Sequence, residues 1–343
     1  MAIETYSYKK GSPLHSTPMP VMLPLTPPIS LSRGRFPFFA FALLCVLALG
    51  LSGCNQGVKK PPATREADAY TLDDPGKVVE QMSQRIAQNQ DTARNRQLRG
   101  QAYFQLSQYD LAYKDFEAAA QKGGKSAVAA FNLGTAAFRL NQMDKAVSAF
   151  TQALELDGAM IKAYSNRGLA YLALDQNEKA LNDFNMALRL SQNRNREALF
   201  NRAIAYERLK DFDRALADYD ALLAMQPTNT SAMANKAEIY WSIKRFPEAR
   251  KLLDQAIKIS PRDADLYFSR AVIMEGLNEL QAALQDYGQA LALRSNYAEA
   301  YYNRGLLLVR LNKGTAGCED LKLACSLGLC DRYEESKKLG LCN

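Results

Sequence analysis

The chain has 343 residues and a net charge of +7, and its only histidine is His15. Because the charge is small and its signs are interspersed, a nucleic-acid partner is not expected. The first 53 residues have the composition of an export signal, so we expect His15 to be removed. A mature chain without histidine lacks the imidazole base on which many enzymes depend. The sequence therefore predicts a protein that is not an enzyme and holds neither a cofactor nor a metal.

Residues 1–53 are organised like an export signal. Residues 1–32 are rich in proline, serine and threonine, and they precede two arginines and an uncharged apolar run from Phe36 to Leu51. The run is short for a membrane-spanning helix, and small residues separate it from Cys54. The segment before the run is long for the basic part of a signal, so translation from Met19 or Met22 is an alternative.

The residues Leu51-Ser52-Gly53-Cys54 resemble the lipobox of bacterial lipoproteins. The resemblance implies cleavage before Cys54, a diacylglyceryl group on its thiol and acylation of the new amino terminus. Several acyl chains attach a protein stably to a membrane. Asn55 is not the aspartate that retains such proteins in the inner membrane, so the resemblance implies the periplasmic face of the outer membrane of a Gram-negative bacterium. A plain signal anchor with an incidental cysteine is the alternative.

A polar tether and one helix precede the rest of the chain. Residues 54–75 contain a Pro-Pro pair and no apolar run, and a flexible chain of this length spans roughly 25 Å. Residues 76–92 are predicted to form a capping helix, because Val78, Val79, Met82 and Ile86 recur at helical spacing. Asp73 or Asp74 can cap this helix, with Pro75 in its first turn.

Residues 93–326 repeat one pattern seven times. A small residue recurs every 34 or 35 residues, at Gly100, Gly134, Gly168, Ala203, Ala237, Ala271 and Gly305. Sixteen residues after the small residue, five of the units carry an aromatic, namely Phe116, Phe150, Phe184, Tyr219 and Tyr287. So constant a period is typical of a solenoid of helical hairpins, because one hairpin cannot bury its apolar face alone.

This pattern resembles the tetratricopeptide repeat. The resemblance implies an all-α fold, a right-handed superhelical solenoid of about seven helical hairpins with N- and C-terminal capping helices. Leu253 and Leu321 replace the second-helix aromatic, a local departure that leaves the prediction unchanged. In this family the first helices tend to line the concave surface, where partners bind.

One column of the first helices carries asparagine, at Asn132, Asn166, Asn201, Asn235 and Asn303. The residue before it is often aromatic, as at Phe131, Phe200, Phe268 and Tyr302. The column resembles the asparagine ladder in the repeat domain of the glycosyltransferase that adds N-acetylglucosamine to serine and threonine. That resemblance implies a groove for the backbone of an extended peptide, which a carboxamide can both donate to and accept from. Alternatively, the asparagines fix the stack and the aromatics pack between helices.

Five units share an arginine and an aspartate 16 residues later. The arginines are Arg99, Arg167, Arg202, Arg270 and Arg304, and the aspartates are Asp115, Asp183, Asp218, Asp286 and Asp320. The two units that lack this arginine, which have Leu133 and Lys236 there, lack the aspartate as well. The matching predicts an ion pair between the two helices of a hairpin rather than a basic stripe for an acidic partner.

Four cysteines close the chain, at Cys318, Cys325, Cys330 and Cys342. Their spacing does not match a zinc site, and an even number in an exported protein predicts disulfides. We expect residues 327–343 to form a cap, in which a helix over Asp331–Leu339 folds back on the last repeat. This arrangement pairs Cys325 with Cys330 and Cys318 with Cys342. A redox or metal-binding role is the alternative.

Together these patterns predict a non-catalytic, lipid-anchored periplasmic scaffold. It would bind an extended segment of an envelope protein in the concave groove and assist an envelope machine for pili, secretion, polysaccharide export or the cell wall. One alternative is direct polysaccharide binding by Phe131, Phe200, Phe268 and Trp241. Another is a carboxylate hydrolase, which is disfavoured because the carboxylates on the first helices are scattered over different units, as at Glu207, Glu238 and Glu275.

Overall fold

The computed structural model of the protein describes residues 74–123, 126–338, 340 and 342. Over these residues the chain forms sixteen α-helices and no β-strand, and the prediction of an all-α fold is confirmed. The signal segment 1–53, the lipidation residue Cys54 and the tether up to residue 73 lie outside the described residues. No helix in the described part of the chain has both the length and the hydropathy of a bilayer-spanning segment.

Seven helical hairpins follow one another along the chain, each made of a first and a second helix. The first helices are α2 (Ala93–Gln105), α4 (Ala127–Arg139), α6 (Ile161–Ala173), α8 (Arg196–Arg208), α10 (Thr230–Ser242), α12 (Ala264–Gly276) and α14 (Ala298–Arg310). The second helices are α3 (Tyr109–Gly123), α5 (Met143–Leu156), α7 (Asn177–Leu190), α9 (Phe212–Met225), α11 (Phe246–Ile259), α13 (Leu280–Leu293) and α15 (Gly314–Ser326). We number the hairpins as units one to seven.

One helix lies at each end of this array. α1 (Pro75–Ala87) begins at Asp74, whose Oδ1 accepts a hydrogen bond from the Lys77 N–H at 3.0 Å. It ends earlier than the predicted range, because Asn89 adopts a positive φ of 63°, which interrupts the helix. α16 (Cys330–Lys338) begins and ends one residue before the predicted helix.

Each hairpin reverses direction at one residue with left-handed backbone conformation. These residues are Ser107, Asn141, Asp175, Lys210, Lys244, Asn278 and Asn312, with φ between 54° and 63°. A residue in this conformation ends an α-helix and turns the chain back. The regular spacing of these residues therefore gives all seven hairpins nearly the same geometry.

The core of each hairpin is built around the side chain at one position of the second helix, which is aromatic in five units. Phe116, Phe150, Phe184, Tyr219 and Tyr287 are all fully buried. The phenylalanines face a glycine of the first helix, and a Cβ built on Gly168 would lie 2.7 Å from the ring of Phe184. Leu253 and Leu321 are equally buried, so the core continues through the units that lack the aromatic.

The first helices form the inner face of the stack. Besides packing on the second helices, they contact one another between neighbouring units, at α4–α6, α6–α8 and α10–α12. In a curved solenoid the helices on the inner side come closest to one another. We call the surface formed by the first helices the inner face.

Two disulfides join the last repeat to the C-terminal cap. They link Cys318 with Cys342 and Cys325 with Cys330, which is the nested pairing that the sequence predicts. α16 is thereby held against α15 at the C-terminal end of the solenoid.

Candidate functional site

The arginine column on the first helices is occupied by ion pairs within the hairpins. In all five units, Nε and Nη2 of the arginine donate to the two carboxylate oxygens of the aspartate 16 residues later, at 2.6 to 2.9 Å. The aspartates are buried. The predicted pairing is confirmed, and these guanidinium groups do not form a basic stripe on the inner face.

The same arginines also link each hairpin to the one before it. In four units, Nη1 contacts a polar side chain of the preceding second helix or of α1, at 2.6 to 3.0 Å, and these partners are Ser83, Thr151, Asn185 and Asp254. Lys236 makes a similar link to Asp220. At unit seven the corresponding residue is Gly288, which has no side chain to offer Arg304. Each arginine therefore connects three helices, except in unit seven.

The asparagine column lies beneath the inner face rather than open on it. Asn132, Asn166 and Asn201 are 3%, 5% and 1% exposed, whereas Asn235 and Asn303 are half-buried. An aromatic of the preceding second helix stands 16 or 17 residues before each of the five. The amides that follow a phenylalanine differ in their hydrogen bonding from those that follow a tyrosine.

Where the aromatic is tyrosine, the amide is hydrogen-bonded. Asn235 Nδ2 donates to the Tyr219 hydroxyl at 3.0 Å, and that hydroxyl lies 3.5 Å from Glu207 Oε2. The second such junction repeats the arrangement, with the Tyr287 hydroxyl donating to Glu275 Oε1 at 2.7 Å and bonded to Asn303.

Where the aromatic is phenylalanine, at least one polar atom of the amide is buried without a hydrogen-bond partner. Asn132 Nδ2, Asn166 Oδ1 and both polar atoms of the Asn201 amide are buried without a hydrogen-bond partner. The residue that corresponds to Glu207 is then apolar, namely Phe104, Phe138 or Leu172. Units two, three and four therefore carry an unbroken series of carboxamides with unused hydrogen-bonding capacity.

Electrostatics keep the two tyrosine hydroxyls protonated. Burial raises the pKa of Tyr219 and of Tyr287 well above the usual value, and the neighbouring Glu207 and Glu275 raise it further. Burial also raises the pKa of Glu275, although the bond from Tyr287 and the charge of Arg310 act in the opposite direction. Both hydroxyls therefore remain protonated and act as donors to the carboxylates.

The aromatic side chains at the position before the asparagine column differ in how deeply they are buried. Phe131 and Phe268 are buried and pack on Phe150 and Tyr287, with ring centroids 5.7 and 5.8 Å apart. Phe200 and Tyr302 are half-buried. Phe200 nevertheless packs on Tyr219, with ring centroids 5.9 Å apart. Three of the rings considered for a peptide groove or a polysaccharide surface are therefore used in packing, because their column points between the first helix and its second-helix aromatic.

The contact between glutamate and tyrosine was not predicted from the sequence. Glu207 and Glu275 occupy one repeat position, and each precedes its tyrosine by twelve residues. That spacing, which coincides with tyrosine in place of phenylalanine, was the available signal. Over the described residues, no three histidine, cysteine, aspartate or glutamate side chains are grouped to hold a metal ion.

The chain matches established family models over more than half of its length. Models described as tetratricopeptide repeat match residues 98–160, 161–194, 202–264 and 234–294, and one described as TPR repeat matches residues 277–312. No curated protein matches the sequence.

Solved structures share the fold at low sequence identity. A tetratricopeptide repeat protein from Parabacteroides merdae is 22% identical with a TM-score of 0.57, over 78% of this chain and 98% of that one. The C-terminal part of a TPR repeat-containing protein from Cytophaga hutchinsonii is 16% identical with a TM-score of 0.55, over 66% of this chain and 93% of that one. These likenesses concern the fold alone.

Proposed function

This chain belongs to the tetratricopeptide repeat family, and on that premise we propose that it is a lipid-anchored periplasmic scaffold whose inner face binds an extended segment of an envelope protein. The repeat fold is a scaffold for protein–protein interaction. The finer proposal rests on the asparagine series of units two to four and on the sequence around Cys54.

The unsatisfied carboxamides are the observation that carries the binding proposal. Buried polar side chains are nearly always hydrogen-bonded, and an unpaired one costs about 1–3 kcal/mol. Asn132, Asn166 and Asn201 leave such atoms in three consecutive units. The backbone of an extended peptide offers the N–H and C=O groups that these amides lack. Binding would require the carboxamides to rotate toward the inner face, where Asn235 and Asn303 are already half-exposed.

If the asparagines bind a partner, removing them should abolish binding without lowering the stability of the fold. Replacing Asn132, Asn166 and Asn201 together by alanine removes at each site at least one buried polar atom without a partner. We therefore expect a melting temperature that is unchanged or raised. A partner captured by the wild type from detergent-solubilised envelope should nevertheless be lost by the triple variant.

A matched control separates the inner face from the rest of the surface. Gln121, Asn182 and Gln255 are exposed amides on second helices, and their combined replacement by alanine should leave the captured partner in place. If the triple inner-face variant retains the same partner, the asparagine series does not bind it and the proposal fails.

The membrane attachment is proposed from Cys54 and its flanking residues. The C-terminal disulfides agree with an oxidising compartment such as the periplasm. Cys54→Ser should abolish incorporation of labelled palmitate. It should also leave the protein as the uncleaved precursor, with its apolar run from Phe36 to Leu51 still attached, because cleavage is expected before this cysteine. Cys45→Ser, a change within the apolar run, is the control and should leave palmitate incorporation and cleavage unchanged. Palmitate incorporation into the Cys54 variant would contradict the lipid anchor.

A further inference from the structure

We infer that units six and seven bind an aspartate or glutamate side chain of a partner protein in the open space over Gly288, beside Nη1 of Arg304. We call this space the Gly288 notch. It lies among the second helices, so it is separate from the inner face and does not depend on the proposed function. The inference is carried by the hydrogen bonding of Arg304, by the packing around Gly288 and by the charges exposed on α13 and α15.

Arg304 has a donor group that its equivalents in the other units use. Its Nε and Nη2 donate to Asp320, as in the other four ion pairs. In the part of the chain that the structure describes, however, its Nη1 has no acceptor, whereas the other four arginines each donate from Nη1 to a side chain of the preceding helix. The Arg304 side chain is also 27% exposed, against 16 to 21% for those four.

The preceding unit shows what such a donor can bind. Arg270 pairs with Asp286 through Nε and Nη2, and its Nη1 donates to Asp254 Oδ1 at 2.8 Å. Asp254 has the same position on α11 that Gly288 has on α13. One guanidinium of this column therefore binds two carboxylates at once, and Arg304 has the same capacity for a second one.

Packing does not require the glycine at position 288. A Cβ built on Gly288 would have one heavy atom within 4 Å, namely Arg304 Nη1 at 4.0 Å. At Gly168, by contrast, the added Cβ would lie 2.7 Å from the Phe184 ring. Glycine within a helix is less stable than alanine, so Gly288 weakens α13 without allowing two helices to approach more closely. Its effect is to leave space in front of a guanidinium donor.

The Gly288 notch opens on the side of the solenoid that the second helices form. The equivalents of Gly288 in units three and four, Asn185 and Asp220, are exposed. In unit five the Asp254 side chain is 40% exposed although it binds Arg270. A partner can therefore reach this position from solvent without entering the inner face.

α13 differs from the other second helices in its exposed residues. All of Leu280–Leu293 is described, and its exposed residues are uncharged, namely Gln281, Gln285, Gln289, Ala292 and Leu293. Each of the other six second helices exposes at least one charged side chain. No exposed acid of α13 therefore competes with a partner for Arg304.

The following second helix adds a cation and an apolar side chain. On α15, Lys322 has the position equivalent to Gly288, and it is the only lysine or arginine among the seven second-helix residues there. Leu323 follows it and is 45% exposed, and Glu319 is the exposed acid of this helix. Since bonds between ionised groups are stronger than neutral ones, Arg304 and Lys322 favour a carboxylate over a hydroxyl or an amide.

The spacing of these groups specifies a probe. Packed helices lie about 8–10 Å apart, and an extended chain advances about 3.3 Å per residue. A carboxylate at Gly288 and an apolar side chain against Leu323 would therefore stand about three residues apart. The probe is a fluorescent twelve-residue peptide of serine and alanine with blocked ends, one aspartate and, three positions away, one leucine. Two further peptides carry asparagine or lysine in place of the aspartate.

The test compares binding of the three peptides to the full chain in detergent by fluorescence anisotropy. We expect the aspartate peptide to bind at least about fivefold more tightly than the asparagine peptide, because its bond to Arg304 is charge-assisted. The lysine peptide should bind most weakly. The preference for aspartate should decrease at high salt, because exposed charges are screened.

One variant supplies the carboxylate from the chain itself. Gly288→Asp should place an acid against Arg304 as Asp254 lies against Arg270, and it should weaken binding of the aspartate peptide about tenfold, or about 1.4 kcal/mol. Gln281→Asp adds the same charge at an exposed position of the same helix, and it should change binding by less than about twofold. Melting curves establish that both variants are folded.

Two results would overturn the inference. One is equal binding of the aspartate and asparagine peptides, or no binding of either. The other is a Gly288→Asp variant that binds the aspartate peptide as tightly as Gln281→Asp does. Neither result bears on the asparagine series of the inner face, which is judged by the partner that its own triple variant captures.

Discussion

In unit three a buried ion pair joins the two helices of the hairpin, and removing either partner should destabilise the fold. Arg167 binds both carboxylate oxygens of Asp183 at 2.7 and 2.8 Å, and the two side chains are 17% and 5% exposed. Arg167→Leu leaves the carboxylate of Asp183 buried without its cation. The expected loss of unfolding free energy is about 3–5 kcal/mol, the usual cost of removing one partner of a buried pair.

Removing the aspartate instead of the arginine should lower the unfolding free energy by a smaller amount. In Asp183→Ala the guanidinium keeps its contact with Thr151 Oγ1 at 3.0 Å, and its long stem allows it to turn toward water. The expected loss is about 1–3 kcal/mol. The double variant Arg167→Leu/Asp183→Ala should return to within about 1 kcal/mol of the wild type, because an apolar pair can replace a buried ion pair at little cost. Unit two, which has Leu133 and Ala149 at these positions, shows that the fold accommodates this replacement.

The assay is urea unfolding followed by helical circular dichroism, with the transition midpoints compared at equal slope. The reasoning is refuted if the double variant is as unstable as Arg167→Leu, since the pair itself would then be required. It is also refuted if Arg167→Leu costs less than about 1 kcal/mol, the scale of a solvent-exposed pair.

Three further predictions concern single positions. Gly168→Ala should destabilise by about 1–3 kcal/mol despite the better helix propensity of alanine, because the added Cβ would lie 2.7 Å from the Phe184 ring; adding Phe184→Leu should recover part of the loss in urea unfolding. Gly288→Asp should raise the melting temperature more than Gly288→Ala, because the carboxylate would complete the missing link to Arg304; equal shifts would contradict this. The raised pKa of Glu275 means that the folded state binds its proton more tightly than the unfolded state. Its contribution to stability is therefore greatest below its unfolded pKa and is lost as pH rises through the folded pKa, so Glu275→Gln should flatten the dependence of urea midpoints on pH in the acidic range.

The repeat architecture was predictable from the sequence because its signals are local and recur in every unit. The small residue opposite the second-helix aromatic and the constant period specify the hairpins. The arginine and aspartate positions represented by Arg167 and Asp183 also predicted a contact between the two helices of a hairpin. The units that lack the arginine also lack the aspartate, and this matching indicates an ion pair. The nested disulfides followed from the antiparallel arrangement of the last two helices.

The burial and hydrogen bonding of the asparagines were harder to predict from the sequence. The sequence places Asn201 and Asn235 in one column, yet one is buried without a partner and the other bonds Tyr219. The difference depends on side chains of two other helices, Phe184 or Tyr219 on the second helix and Leu172 or Glu207 on the first. Burial of Phe131 and Phe268 likewise depends on how closely adjacent helices approach, which a single column does not encode.

In-cell photo-crosslinking can establish whether a partner segment lies along the inner face. A photoreactive phenylalanine analogue placed at Asn235 or Asn303, two half-buried inner-face positions, is compared with the analogue at Glu155 or Glu178, two exposed positions on second helices. We expect the inner-face positions to crosslink to one common envelope protein and the second-helix positions not to do so. Crosslinking to that protein from the second-helix positions alone would show that the partner does not lie along the inner face.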